Sequence, residues 1–187
     1  MTHLILGGAR SGKSAYAEQL AKAWQAEHVA GSVVYCATAP RGFRNAQGQW
    51  QEDSEMAQRI DHHHQRRPST WHTVEEPLAL AACLQNLEQQ HRATPCLVLV
   101  DCLTLWMMNL LEADCRVLQT ERLLDFLQQT RLPLILVSNE IGLGVVPLGQ
   151  MSRSFVDELG RLHQAIAQLA EQVTFVTAGL PMRLKGA

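Results

Sequence analysis

Leu4-Ile5-Leu6-Gly7-Gly8-Ala9-Arg10-Ser11-Gly12-Lys13-Ser14 decides how the rest of the chain is read. The three apolar residues predict a buried strand, and Ser14-Ala15-Tyr16-Ala17-Glu18-Gln19-Leu20-Ala21-Lys22-Ala23-Trp24 reads as a helix. Between them stands the pattern G-x-x-x-x-G-K-[ST], a phosphate loop, which requires that order of strand, loop and helix. Gly7 and Gly12 let the backbone turn back so that consecutive N–H groups face phosphate oxygens, and Gly8, Ala9, Arg10 and Ser11 complete the loop. Lys13 brings a positive charge to the β- and γ-phosphates, and the Ser14 hydroxyl suits Mg2+. The helix behind adds free N–H groups and the positive end of its dipole. The stretch therefore predicts a nucleoside triphosphate site.

Working outward, Ser32-Val33-Val34-Tyr35-Cys36-Ala37-Thr38 is β-rich and predicts a second buried strand. The polar, turn-rich stretch from Ala39 to Trp50 reads as a surface loop. Residues 53–67 predict a helix with Asp53 or Ser54 at its N-cap, stopped by Pro68. A further helix is expected from about Pro77 to His91, with Leu80, Leu84 and Leu87 facing the core. Cys96-Leu97-Val98-Leu99-Val100-Asp101 is an apolar run ending in a carboxylate, as in parallel strands covered on both faces. Helices over Leu103–Leu111 and 119–131 follow, then a strand over Leu134–Ser138 and a glycine-bearing loop over 139–147. A long helix carrying Phe155, Leu159, Leu162, Ile166 and Leu169 leads to Val173–Thr177, the strand expected to close the sheet. Strands alternating with helices imply crossover connections. The fold expected is α/β, a three-layer, RecA-like phosphate-loop fold around a mostly parallel sheet, in one domain spanning residues 1–187.

The bulk properties narrow the function. A net charge of −2 and a pI near 6.4 give no basic field for nucleic acid or an acidic membrane. No apolar run approaches the length of a membrane-spanning helix, and the early first strand leaves no room for a signal peptide. Cys36, Cys83, Cys96, Cys102 and Cys115 are scattered and odd in number, so free thiols in a cytoplasmic protein are expected.

Two further features carry chemistry. Asp101 stands where phosphate-loop proteins place the acid that holds Mg2+ through water, although an Asp at a strand end also suits a turn. His62-His63-His64 leaves three readings open. A metal cluster is one, but adjacent helical residues point about 100° apart and cannot all meet one ion. A solvated helix end is the second. The third is a nucleophile, since neutral imidazole attacks phosphorus to give a phosphoramidate, with Arg59, Arg66 and Arg67 offsetting charge on the phosphoryl oxygens.

The phosphate loop is followed by Asp53-x-Glu55-Met56-x-x-Arg59-Ile60-x-His62-His63 and by Arg67-Pro68-x-x-Trp71-x-Thr73-x-Glu75. Asp101-Cys102-Leu103-Thr104, Asn139-Glu140-Ile141-Gly142-Leu143-Gly144-Val145-Val146-Pro147 and Arg153-x-Phe155-x-Asp157-x-x-Gly160-Arg161 come after them. From Leu4 to about Lys185 this set resembles the bifunctional adenosylcobinamide kinase/adenosylcobinamide-phosphate guanylyltransferase family of cobalamin biosynthesis. The resemblance implies two reactions. ATP or GTP phosphorylates the aminopropanol hydroxyl of adenosylcobinamide; a histidine then takes GMP from GTP, releases pyrophosphate, and passes the GMP on to give adenosylcobinamide-GDP. It places the guanylylated histidine at His62 and nucleotide contacts at His63, His64, Gln65 and Arg66. Thr38, Ala39 and Pro40 match the family's loop after the second strand, and Glu75 and Asp101 match acids assigned to nucleotide or Mg2+. It also implies a homotrimer. Because one loop would cradle the phosphates in both steps, the 53–67 segment is expected to be mobile and to close over bound GTP.

Three other readings were open. In a plain small-molecule kinase the histidines only bind substrate. A GTP-dependent switch is disfavoured because the chain has no Asn-Lys-x-Asp element for guanine, and a strand-exchange motor subunit by size and charge.

Overall fold

The first strand, β1 (Thr2–Gly7), is buried along its whole length. Leu4 and Leu6 face one apolar layer and Ile5 the other, as the two-residue period of a strand requires. The computed structural model of the protein describes residues 1–40, 42–44, 49–52, 54, 58, 67–145 and 147–186. Around β1 run α1 (Lys13–Glu27), β2 (Ser32–Ala37), β3 (Gly42–Arg44), β4 (Trp50–Glu52) and β5 (His72–Glu75). Then come α2 (Leu80–Gln90), β6 (Cys96–Asp101), α3 (Leu103–Glu112), α4 (Arg116–Gln129) and β7 (Leu134–Asn139). The chain ends with α5 (Gln150–Leu169), β8 (Gln172–Thr177) and β9 (Leu180–Lys185).

Seven strands form one sheet in the order β5-β2-β6-β7-β1-β8-β9, parallel except for β9. Ala17 and Ala21 of α1 pack on one face with Ile5, Val33, Tyr35, Leu97 and Trp71. Leu80 and Leu84 of α2, Trp106 and Leu110 of α3, Leu123 of α4 and Leu159 and Ile166 of α5 cover the other. The three-layer, mostly parallel architecture expected from the alternation is the one observed. Small alanines on α1 let that helix approach the sheet closely; the opposite face takes the bulky residues.

Four differences from the sequence expectation have physical causes. β5 is an exposed edge strand, with alternation too weak to show in four residues. β3 lies inside the stretch read as loop and pairs antiparallel with β4, which begins at its last residue, Trp50. The sheet does not end at β8: Ala178 and Gly179 take positive φ and turn the chain back into β9. Finally, α2 starts at Leu80, not Pro77: Glu76 Oε1 accepts the N–H groups of Leu78 (2.9 Å) and Ala79 (2.6 Å) in a turn ahead of the helix. The helix expected over 53–67 falls largely outside the described residues. All five cysteines are free, with Cys36, Cys96 and Cys102 buried.

Candidate active site

Parallel strands all end at one edge of the sheet, and the loops there gather the chemistry. Gly7 ends β1 against β8: a Cβ here would lie 2.5 Å from the Val176 carbonyl oxygen and from Ser11 Oγ, so only hydrogen fits. Gly12 adopts φ 95 as the residue before α1, and Arg10 has φ 55. These two left-handed residues curl the loop back over the strand end. The Gly179 N–H donates to the Ser11 carbonyl at 2.8 Å and ties the loop to the β8–β9 turn.

The loop has the polarity of an anion cradle. α1 begins with no side-chain cap and no acidic residue in its first turn, so its first N–H groups and its dipole are open to an anion. Lys13 is buried, and its Nζ donates to the Gly8 carbonyl at 3.3 Å, a long bond easily exchanged for a phosphate oxygen. Ser11 Oγ is buried without a hydrogen-bond partner. Gly8 and Ser14 are half-buried beside them, and Ala9 and Arg10 are exposed.

Asp101 lies at the end of β6, separated from β1 only by β7. At about 4.8 Å per strand that is about 10 Å, a gap suited to a phosphate and a hydrated cation. Its Oδ2 accepts a hydrogen bond from Tyr35 Oη at 3.0 Å. Burial first, then the Asp101 charge, push the Tyr35 phenol well above its ordinary value, so it remains a protonated donor. Burial, followed by Asp101, also raises the Cys102 thiol to about 11 and keeps it neutral. Among the described residues no group of three or more His, Cys, Asp or Glu assembles for a metal. The oxygen donors Ser14 and Asp101 fit Mg2+, a hard cation whose remaining ligands are usually phosphate and water.

Thr38 follows β2 and is fully buried. Its hydroxyl donates to the Cys102 carbonyl at 2.7 Å and accepts from the Cys102 N–H at 2.9 Å. The Asn109 side chain donates to the Thr38 carbonyl at 2.8 Å. Thr38 thus clamps the turn that carries Asp101, and half-buried Ala39 and Pro40 follow at the same sheet edge. Glu75 is exposed at the end of β5, four strands from β1. That is about 19 Å by strand spacing, too far to share a phosphate group with Lys13. His62, His63, His64, Gln65 and Arg66 lie outside the described residues. Arg67 is described, and its guanidinium carbon sits 3.2 Å above the centroid of the Tyr35 ring.

Two features of this edge escaped the sequence reading. One is Tyr35, which in sequence is only an aromatic residue in a strand. The other is a polar chain beneath the 139–147 loop. The Asn139 N–H donates to Thr104 Oγ1 (2.6 Å), Thr104 Oγ1 meets Ser138 Oγ (3.1 Å), and Ser138 Oγ meets His163 Nε2 (2.7 Å). Glu140 Oε2 lies 3.5 Å from His163 Nδ1, while its Oε1 accepts the Gly142 N–H at 2.7 Å. Burial lowers the His163 pKa and Glu140 partly opposes this. The signal in the sequence is Thr104, Ser138 and His163 standing at positions where the core-facing neighbours of their elements are apolar.

A glycine cradle on β1, an acid two strands away and an open helix N-terminus define a phosphate-loop nucleotide-binding protein. The fold agrees: the ATPase domain of G40P superposes with a TM-score of 0.51 at 16% identity, over 93% of this chain and 68% of that one. An ATPase of the type III secretion system of pathogenic bacteria gives a TM-score of 0.55 at 9% identity, over 97% of this chain and 56% of that one. Residues 3–184 match the family described as cobinamide kinase / cobinamide phosphate guanyltransferase, and the chain belongs to that family. It is 54% identical to the bifunctional adenosylcobalamin biosynthesis protein CobP of Pseudomonas aeruginosa, over 100% of this chain and 98% of that protein. It is 33% identical to the bifunctional adenosylcobalamin biosynthesis protein CobU of Escherichia coli, over 99% of this chain and 100% of that protein. The corresponding protein of Salmonella typhimurium is 32% identical, over 99% of this chain and 100% of its own length.

Proposed function

We propose that this chain, as one domain, performs two reactions at a single triphosphate cradle. In the first, ATP or GTP gives its γ-phosphoryl group to the aminopropanol hydroxyl of adenosylcobinamide. In the second, His62 takes GMP from GTP, forming an N–P bond as pyrophosphate leaves. The phosphate of adenosylcobinamide phosphate then attacks that phosphorus, frees the imidazole and yields adenosylcobinamide-GDP. The observation that carries this reading is the cradle itself, with buried Lys13, orphaned Ser11 Oγ and an uncapped α1, facing Asp101 across β7.

Lys13 and the N–H groups of residues 8–14 hold the β- and γ-phosphates and offset charge on the transferring group. Ser14 and Asp101 would hold Mg2+, which when bound adds further positive charge at the phosphates. His62 precedes Arg67 by five residues, a span of at most about 18 Å. With Arg67 seated on the ring of Tyr35, whose hydroxyl bonds Asp101, that tether supports a His62 within reach of an α-phosphate on the cradle. His63, His64, Gln65 and Arg66 are then nucleotide contacts, with Thr38, Ala39 and Pro40 shaping the near wall and Glu75 serving a distant part of the nucleotide.

The active form is a homotrimer in which a neighbouring subunit completes the site. Exposed Leu180, Met182 and Leu184 along β9, with Leu143, Val145, Leu148 and Met151, support self-association. Free thiols support a cytoplasmic location.

GTP labelled at the α-phosphate tests the assignment. Wild type should carry acid-labile label on the peptide containing His62, and His62→Ala should carry none while still phosphorylating adenosylcobinamide. Lys13→Ala should lose both activities. Unlabelled wild type with intact γ-phosphoryl transfer would leave a kinase only.

A further inference from the structure

Asp101 is not oriented by its own strand alone. Tyr35 lies on the neighbouring β2, where Ala37 is the residue in register with Asp101, so the ring lies alongside β6 and its hydroxyl reaches Oδ2 at 3.0 Å. The ring belongs to the apolar layer of Ile5, Ala17, Val33 and Leu97, and is 3% exposed. The Arg67 guanidinium covers one face at 3.2 Å, well inside the range of a cation–π contact. Arg67 Nε is buried with no hydrogen-bond partner, so packing on the ring, not hydrogen bonding through that atom, is its visible tie there.

A carboxylate with both oxygens free rotates about its χ angles, whereas one anchored through a single oxygen keeps one orientation. Among the described residues no donor engages the other oxygen, Oδ1. A cation over the ring polarises the phenol and makes its O–H a stronger donor, and the same charge offsets the cost of a carboxylate at a half-buried strand end. We propose that Tyr35, backed by Arg67, is a positioning residue that holds Asp101 with Oδ1 presented to the metal–nucleotide complex. This rests on the reading of Asp101 as the acid for Mg2+. The bland alternative is that Asp101 merely satisfies a buried phenol. That alternative makes a different prediction: removing the hydroxyl would alter folding stability but not how strongly Mg2+ assists nucleotide binding.

The test uses the full chain and a fluorescent non-hydrolysable GTP analogue, with its affinity measured in saturating Mg2+ and in EDTA. The ratio of the two affinities is the readout, alongside the melting temperature. Tyr35→Phe, which keeps the ring and loses the hydroxyl, should cut the ratio by about tenfold, the usual consequence of removing a partner behind a metal ligand. Its affinity in EDTA should stay within about twofold of wild type, since the cradle is untouched. Arg67→Ala should lower the ratio in the wild-type background but add nothing to Tyr35→Phe, and Arg67→Lys should restore part of the loss. Asp101→Asn is the control on the underlying reading. If it removes the Mg2+ assistance while Tyr35→Phe leaves the ratio intact, the positioning role is wrong and the metal role of Asp101 stands. A Tyr35→Phe protein whose ratio is unchanged, whether it loses stability or binds less well in both conditions, also overturns the proposal. If Asp101→Asn leaves the ratio as in wild type, or wild type itself shows no assistance, the reading of Asp101 falls and the proposal with it.

Discussion

Replacing Thr38 by Val keeps the shape of a fully buried side chain and removes one oxygen, so it isolates the clamp on the Asp101 turn. Area bookkeeping alone predicts a neutral or stabilising change, because Val is the more apolar residue. Hydrogen bonding predicts the opposite. The Thr38 hydroxyl serves both the N–H and the carbonyl of Cys102. The carbonyl keeps a second donor, the Trp106 N–H at 3.1 Å, so its loss is a single bond of about 1 kcal/mol. Among the described residues the buried Cys102 N–H has no other partner, and an orphaned donor costs about 2 kcal/mol. The sum, about 3 kcal/mol, lowers the melting temperature by roughly 9 °C in a chain of this size. Thr38→Ser keeps the oxygen and loses only a methyl group, about 1 kcal/mol. Thermal melts without nucleotide should therefore rank wild type above Ser and Ser above Val. A Val variant melting within about 2 °C of wild type, or a Ser variant below Val, would refute the clamp.

Gly7→Ala should destabilise by about 2 kcal/mol or more, because its Cβ meets the Val176 carbonyl oxygen at 2.5 Å, while Gly8→Ala, with nothing within 4 Å, should melt like wild type. His3 is held neutral by burial and then by Arg183, its pKa lowered from 6.5 to about 4. The unfolded chain takes up that proton as pH falls through 6.5 and the folded chain resists it, so stability is complete above pH 6.5 and is lost down to about pH 4, by up to about 3 kcal/mol. His3→Gln should flatten urea midpoints measured across that window, and parallel curves for variant and wild type would show that His3 contributes nothing there. His163→Leu strips Ser138 Oγ of its 2.7 Å partner and takes the imidazole away from Glu140; a loss of about 2 kcal/mol is expected in denaturant titration, partly restored by Gln.

Most of the fold was legible because the signals were local. Buried parallel strands such as Cys96–Asp101 are apolar from end to end, and glycine with lysine in fixed order names a phosphate loop wherever it occurs. Elements that depend on a partner were not legible. β5 turns only Val74 toward the core and β9 is exposed throughout, so only their pairing with β2 and β8 defines them. The start of α2 lies beyond Pro77, after a turn in which Glu76 captures the N–H groups of Leu78 and Ala79.

The site divides along the same line. Sequence alone singled out the groups proposed to handle phosphate: Gly7, Gly12, Lys13, Ser14 and Asp101 were picked by residue type and order, since that chemistry tolerates few substitutes. Only the tertiary structure decided how those groups are held. Tyr35 meets Asp101 across 66 positions of chain, Thr38 meets Cys102 across 64, and Ser138 meets His163 across 25. Such contacts arise when parallel strands and the helices packed on them bring remote segments side by side, and no local pattern records them, because the partners are far apart in sequence.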